Sequence, residues 1–397
     1  MKKYAIFLLA ALMALLPACT AAPTAAPGGA DAPEATTAPA GKPVIAVSLP
    51  ALDNPLMLGM SDAFTNTFSA DYDVQVVSAD NNPNSQATQV QNFTAMKPKL
   101  LYINASEPTS LVPNLIAARE AGVIVMMAGG NPGDPEAYDS LQQMNQFMAG
   151  WYSAYLAKQW IDQTYPDAAD GSIDAAILES TGNTEALERT NGLKMIAQPF
   201  MRNAKGDLID AQGKLITVVP PMDKVANPAY SSKVKIVVNV EAQMFQAGQT
   251  AMQNILTTNP NVKLVLAYAG DGGMGASQAI LDEYAKGPGV SVIDDLSKVA
   301  VFGVGMIGAE GPAVLDSATN KSVFRGTIRF GGDLIGRTIE YANKILNGDI
   351  QKIIYDPLDI VTVIDGKLMG LPIQDTEVFQ VPTGTPEEIK LGPPPGP

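Results

Sequence analysis

The chain has 397 residues, 46% of them hydrophobic, with 26 Lys and Arg against 40 Asp and Glu, a net charge of −14. An acidic surface of this kind argues against nucleic acid or anionic lipid as a partner. Histidine is absent, which removes the commonest metal ligand and general base, so a triad that relies on histidine is excluded and neither a metal site nor a cofactor is expected.

Lys2 and Lys3 precede a nearly all-apolar run from Tyr4 to Leu16. It is too short to span a bilayer as a mature helix and has the proportions of a signal-peptide core. The following Leu16-Pro17-Ala18-Cys19 resembles a bacterial lipobox, in which the cysteine is acylated and the peptide before it removed. An ordinary secretory signal with an incidental thiol is the alternative. Cys19 is the only cysteine, so no intramolecular disulfide is possible, and it stands at the one place acylation needs it. Residues 1–18 are thus read as the lipoprotein signal peptide, and Cys19 as the point of attachment to the membrane through an acyl chain such as palmitate. Residues 19–43 are almost only Ala, Pro, Thr and Gly, cannot build a core, and read as a disordered tether. Semi-extended, it would reach on the order of 70 Å. The Pro-rich end, residues 391–397, reads as a frayed tail.

The body of about 345 residues exceeds the usual size of one core and favours two domains. The apolar run Val44 to Pro50 predicts a strand, followed by a helix over NPLMLGMSDAFTNTFS. Strands at VQVVSA, LLYINA and VIVMMAGG alternate with helices at SQATQVQNFTAMK and SLVPNLIAAREAG, the latter ending at Gly122. The order is βαβαβαβ, which predicts a parallel sheet with helices on both faces. The pattern then restarts. Helices are predicted at NQFMAGWYSAYLAKQWIDQ, TEALERTNGLKMIA, MFQAGQTAMQNILTTN and MGASQAILDEYA, and strands at Asp174–Ser180, Lys235–Glu241, Lys263–Gly270 and Lys298–Gly305. DAQGKL, Asp210 to Leu215, suggests a hairpin added to the second half. Two such halves imply two Rossmann-like lobes with a cleft between them.

In open parallel sheets ligands bind beyond the carboxyl ends of the strands. Those ends hold Asp53-Asn54, Ala79-Asp80-Asn81, Asn104 to Ser106, Ala128 to Asn131, Glu179 to Thr181, Asn239 to Gln243, Tyr268 to Asp271 and Gly305-Met306. Asn offers both donor and acceptor, which suits a hydroxyl-bearing ligand, while each Asn or Asp could equally be a helix cap. Arg189 could reach into the cleft and fork two hydrogen bonds, or pair with Glu185 or Glu188. Arg325 and Arg329 lie on one side of a predicted strand, and pairing with acids is favoured over holding an anionic ligand. Met57, Met126, Met127 and Met306 could give an adaptable apolar lining. GDGGMG, Gly270 to Gly275, lacks both the Lys-Ser/Thr ending of a P-loop and the GxGxxG spacing, which argues against a nucleotide.

The stretches IAVSLPALDNP (Ile45 to Pro55), DNNPNSQATQVQNF (Asp80 to Phe93) and ALERTNGL (Ala186 to Leu193), with NILTTNPNVKLVLAYAGDGGMGASQAI, carry a resemblance. In order and spacing, over residues 44 to 365, the chain resembles the ribose/galactose type of periplasmic sugar-binding proteins, the substrate-binding subunits of ABC importers. The resemblance implies an α/β type I periplasmic binding protein fold with a three-strand hinge. The lobes would be 44–144 plus 331–356 and 145–330 plus 357–390, crossing near 144, 330 and 356. It implies that Asn54 bonds a sugar hydroxyl, that Leu56 and Met57 stand where aromatic rings stack, and that Arg189 grips sugar oxygens. Other positions depart. An Asp-Arg pair becomes Ala128-Gly129-Gly130-Asn131, an Asn-Asp becomes Ala269-Gly270 with Asp271 one place later, a ligand aspartate becomes Gly305, and a hinge glutamine becomes Phe330. The expected ligand-binding residues are therefore Asp53, Asn54, Met57, Asn131, Arg189, Asp271, Met306 and Phe330.

The function implied is a monomeric, extracytoplasmic solute-binding lipoprotein that delivers a small solute, a sugar or polyol first, to an ABC permease and its ATPase. The lost carboxylates suggest a solute less polar, smaller or differently charged than ribose. The alternatives are a ligand-sensing lipoprotein that signals to a membrane receptor, and an importer subunit for a nucleoside or small carboxylate. A hydrolase using Asp53 and Asp271 lacks any nucleophile motif, so no enzyme is expected. A related repressor is disfavoured by the lipobox and by the lack of an N-terminal DNA-binding segment.

Overall fold

The apolar run at 44–49 forms β1 (Val44–Leu49), buried along nearly its whole length. It ends where α1 (Pro55–Phe68) begins, and α1 buries Met57, Met60, Phe64 and Phe68, a stripe of helical spacing. β2 (Asp73–Ser78) leads to α2 (Pro83–Met96). Asn82 caps α2 by accepting from the Asn84 and Ser85 amides, and Pro83 sits in its first turn. β3 (Leu100–Asn104), α3 (Val112–Glu120), β4 (Val125–Ala128) and β5 (Ser140–Met144) complete the first run. The structure is a computed structural model and describes residues 41–53, 55–182, 184–199, 201–202, 208–209, 227–305, 310–374, 376 and 381–391. The chain divides into Met1–Gly41 and Lys42–Pro397, and all described elements belong to the second unit.

The second run is α4 (Gln146–Thr164), β6 (Ile173–Glu179), α5 (Thr184–Lys194), β7 (Met201–Arg202), β8 (Leu208–Ile209), β9 (Val234–Glu241), α6 (Phe245–Thr258), β10 (Val262–Ala267), α7 (Gly270–Tyr284), β11 (Ala300–Val304), α8 (Glu310–Asp316) and β12 (Phe324–Phe330). After it come α9 (Leu334–Leu346), β13 (Ile353–Asp356), β14 (Leu358–Ile364), β15 (Lys367–Ile373) and β16 (Glu387–Glu388). One sheet has the order β13-β5-β4-β3-β1-β2 and is parallel throughout. The other has the order β16-β15-β14-β12-β11-β10-β6-β9, parallel from β12 to β9 and antiparallel through β14, β15 and β16. These are two α/β lobes, as the alternating pattern predicts. The chain passes from one sheet to the other at 144–146, 330–334 and 356–358.

One expectation is not reached by the described residues, and one predicted helix starts earlier than expected. The proposed turn Asp210 to Leu215 lies outside the described residues, and the hairpin that is described pairs Met201–Arg202 with Leu208–Ile209, upstream of it. The helix predicted from Met274 begins four residues earlier, so GDGGMG forms the first turns of α7. Its glycines are a packing device. A Cβ on Gly275 would strike the Phe245 carbonyl, and one on Gly272 would lie 2.6 Å from the Ala242 carbonyl. Gly248 of α6 faces Gly272 in the same way, so α6 and α7 touch backbone to backbone. Gly150 of α4 and Gly192 of α5 make a second crossing of this kind. Among the described residues no helix is long and apolar enough to cross a membrane.

Candidate functional site

The carboxyl ends of the first sheet open on a cavity of about 290 Å³. α1 lines it with Leu56, Met57 and Met60, and α9 adds Leu334. Gly129 and Gly130 follow β4 in the left-handed region, with φ +84 and +124. A side chain at 129 has no room, because its Cβ would stand 2.5 Å from Asn104 Oδ1 and 2.8 Å from the Ala105 backbone. The Asn104 amide therefore occupies the space that a side chain at 129 would need. From the second lobe come Gln146, Glu185 and Phe330.

The lining also holds a polar network from four elements. Asp356, last residue of β13, is only 3% exposed, and its Oδ1 accepts from Gln142 Nε2 at 2.8 Å. Thr338 of α9 donates to Gln142 Oε1 at 3.1 Å. Tyr102 of β3 is buried beside them, and burial raises its hydroxyl pKa, with hydrogen bonding to Asn104 and Thr338 opposing. Burial likewise pushes the Asp356 carboxyl up to about 6, while the Gln142 bond and the more distant Arg337 charge pull the other way. Arg337 donates instead to the Tyr341 hydroxyl and to Gln374 Oε1, both at 3.1 Å.

The opposite wall has its charges tied up. Arg189 on α5 gives Nε and Nη2 to Gln146 Oε1, at 2.9 and 2.5 Å, and Nη1 to the Tyr268 carbonyl at 3.0 Å. Its guanidinium also stacks over the Tyr268 ring, 4.4 Å from the centroid. Burial lowers its pKa, with Tyr268 and Glu185 opposing. Glu310, in the first turn of α8, is buried, and its Oε1 lies 2.5 Å from where a Cβ on Gly270 or on Gly305 would stand. A side chain at either position would collide with this carboxylate, which comes from another element. The Asn131 amide donates to Glu185 Oε1 at 2.7 Å, a bond from one lobe to the other. Among the described residues no group of three or more acidic or cysteine side chains could hold a metal.

A family model described as a periplasmic binding protein domain matches residues 45–324. The chain belongs to the periplasmic binding protein family. The ribose import binding protein RbsB of Escherichia coli (strain K12) is 22% identical over 325 residues, 81% of this chain and 91% of that protein. Among solved structures, a periplasmic ribose ABC transporter protein from Conexibacter woesei superposes with a TM-score of 0.58 at 17% identity, over 81% of this chain and 92% of the other. An ABC transporter solute binding protein from Bacillus halodurans with bound myo-inositol gives 0.53 at 18% identity, over 81% and 95%. These establish the type I periplasmic binding protein fold, and the relatives are binding proteins, not enzymes.

In this member of the family the expected site residues fall in different places. Met57 and Phe330 line the cavity. Arg189 stands behind Gln146, bonded as above. Asn131 lies at the rim of an adjoining groove, and its Oδ1 accepts from the Gly133 amide. Asp53 is exposed on the turn after β1, and Asp271 is exposed on the first turn of α7, outside the cavity lining. Asn54, Met306 and Cys19 lie outside the described residues. Of the four methionines singled out, Met126 and Met127 are wholly buried in the two cores of the first lobe. Arg329 pairs with Asp359 at 2.8 Å, while Arg325 donates to the carbonyls of Leu296, Val299 and Ser317. Sequence reasoning missed Tyr102, Gln142, Thr338, Asp356 and Glu185. One signal was available for Asp356, a carboxylate that ends the otherwise uncharged strand Ile353–Asp356 directly before Pro357.

Proposed function

We propose that the protein captures a small solute between its lobes and delivers it to an ABC permease, and that a sugar, polyol or close relative is the solute. The observation that carries this is the 290 Å³ cavity, lined from both lobes at the carboxyl ends of the strands and mixing apolar side chains with carboxamides. The ligands named for related proteins, ribose and myo-inositol, are of this chemical class. The lobes are taken as 44–144 plus 331–356 and 145–330 plus 357–390, with the three crossings as the hinge. A solute touching both walls favours the closed arrangement by its extra contacts there. A thermal-shift screen of the body with pentoses, hexoses, polyols, nucleosides and small carboxylates tests the reading. A bound solute at a hundred times its dissociation constant adds about 2.7 kcal/mol. A shift confined to nucleosides or carboxylates would overturn the sugar assignment.

The signal-like start supports a lipid anchor at Cys19, which puts the protein on the outer face of a membrane. Cys19→Ser should move the protein from the membrane fraction to the soluble one. Retention in the membrane fraction would sink the anchor.

A further inference from the structure

The cavity lining holds two carboxylates, Asp356 and Glu185, and among the described residues no lysine or arginine. Asp356 has one side-chain hydrogen-bond donor among them, Gln142 Nε2, and forms no ion pair there. A buried carboxylate with a single neutral donor is costly unless a further donor or a positive charge meets it. The neighbouring cations do not supply one. Arg337 is held by Tyr341 and Gln374, and Arg189 by Gln146 and Tyr268. The Glu185 carboxylate faces the same space from the opposite lobe and also lines the rim groove, beside Glu107.

From this we infer that the cavity selects a compact solute bearing a protonated amine, such as an amino sugar or amino polyol, with the amine on Asp356. The inference rests on the solute-binding reading above. Leu56, Met57, Phe330 and Leu334 take the uncharged face of the solute. Gln142 and Thr338 fix the Asp356 carboxylate and act as positioning residues. An anionic solute would meet two carboxylates and no cation in the described lining, which disfavours it.

Proton linkage gives the inference a second readout. The groups around Asp356 are Gln142 on β5, Tyr102 on β3, Thr338 and Arg337 on α9, and Thr376, whose hydroxyl reaches the Asp356 carbonyl at 3.4 Å. Of these, Tyr102 stays neutral between about pH 5 and about pH 7, because burial raises its hydroxyl pKa further. Asp356, at about 6, is the member that titrates in this window. Affinity for an amine should therefore fall about tenfold from pH 7 to pH 5, whereas affinity for the hydroxyl twin should not follow it.

The experiment is calorimetric titration of the signal-free protein with matched pairs that differ only by an amine for a hydroxyl, glucosamine and glucose, galactosamine and galactose, and an amino pentitol with its parent. The expected result is one amine bound at least about tenfold tighter than its twin at pH 7, with the preference abolished in Asp356→Asn. The wild-type pH series keeps the test decisive should the variant misfold. Equal or tighter binding of the hydroxyl twins overturns the inference and leaves the solute-binding reading standing. A preference that survives in a folded Asp356→Asn also overturns it. Binding of no member of either series counts against the solute-binding reading itself, and this inference falls with it.

Discussion

The two walls of the cleft are built on the same βα pattern and differ in how finished they are. In the second lobe the buried or half-buried charges Arg189, Arg329 and Glu310 are met within the protein. Arg189 is bonded to Gln146 and Tyr268, Arg329 to Asp359, and Glu310 is fitted against two glycines. Its helices meet backbone to backbone at Gly150 with Gly192, at Gly248 with Gly272, and at Gly275 against Phe245 and Gln249. In the first lobe the wall keeps a buried carboxylate, Asp356, with one side-chain donor. Helix contact there runs through side-chain ends, as where a Cβ on Gly59 of α1 would lie 2.7 Å from Ile335 Cδ1 of α9. The contrast is between a wall whose charges are met inside the protein and one that keeps a buried carboxylate with a single side-chain donor.

Glycine-to-alanine pairs test that contrast with the largest effect. Gly192→Ala places a methyl group against the Phe147 carbonyl and 2.7 Å from the Trp151 amide, both backbone atoms that cannot turn away. The expected loss is about 3 kcal/mol, read as a lower urea midpoint with an unchanged slope. Gly59→Ala meets only the flexible end of Ile335, and the better helix propensity of alanine offsets part of the strain. It should stay within about 1 kcal/mol of wild type. Equal losses at the two sites would mean that the lobes are packed alike.

The same contrast explains what was legible in the sequence. Strands such as Val44–Leu49 and helices such as Phe245–Thr258 follow from hydrophobic periodicity, which depends only on neighbours along the chain. Strands β5 and β13 were not read as strands, because Ser140–Met144 and Ile353–Asp356 are short and are fixed by pairing with each other across more than two hundred residues. The glycines at 270 and 305 looked like lost ligand groups. Glu310, from a different element, fills the space a side chain there would need, and periodicity carries no trace of such a contact. Arg189 was picked out as a ligand-gripping residue, and the structure shows its guanidinium on Gln146 and Tyr268. Residue type gave the donor; only the fold gives the acceptor. The site members that reasoning missed, Gln142, Thr338 and Asp356, come from three separate segments and become a network only where β5, α9 and β13 converge.

A smaller effect, on the order of 2 kcal/mol, probes the unfinished wall itself. An aspartate has a pKa of about 3.9 in an unfolded chain. In the folded protein burial holds Asp356 at about 6. The native state therefore binds this proton more tightly than the unfolded state. Through this group, stability is full below about pH 4 and is lost as pH rises through about 6, where the buried carboxyl ionises. Asp356→Asn cannot titrate. Without solute, its stability relative to wild type should rise by on the order of 2 kcal/mol between about pH 4 and about pH 7.5, followed as urea midpoints at closely spaced pH values. Any change in the Gln142 contact is nearly constant across that range, so the pH-dependent part isolates the charge. A difference that does not vary with pH would show that Asp356 is compensated inside the protein as fully as Arg189 is. The two walls would then be equally finished, and selection by the first lobe would need another source.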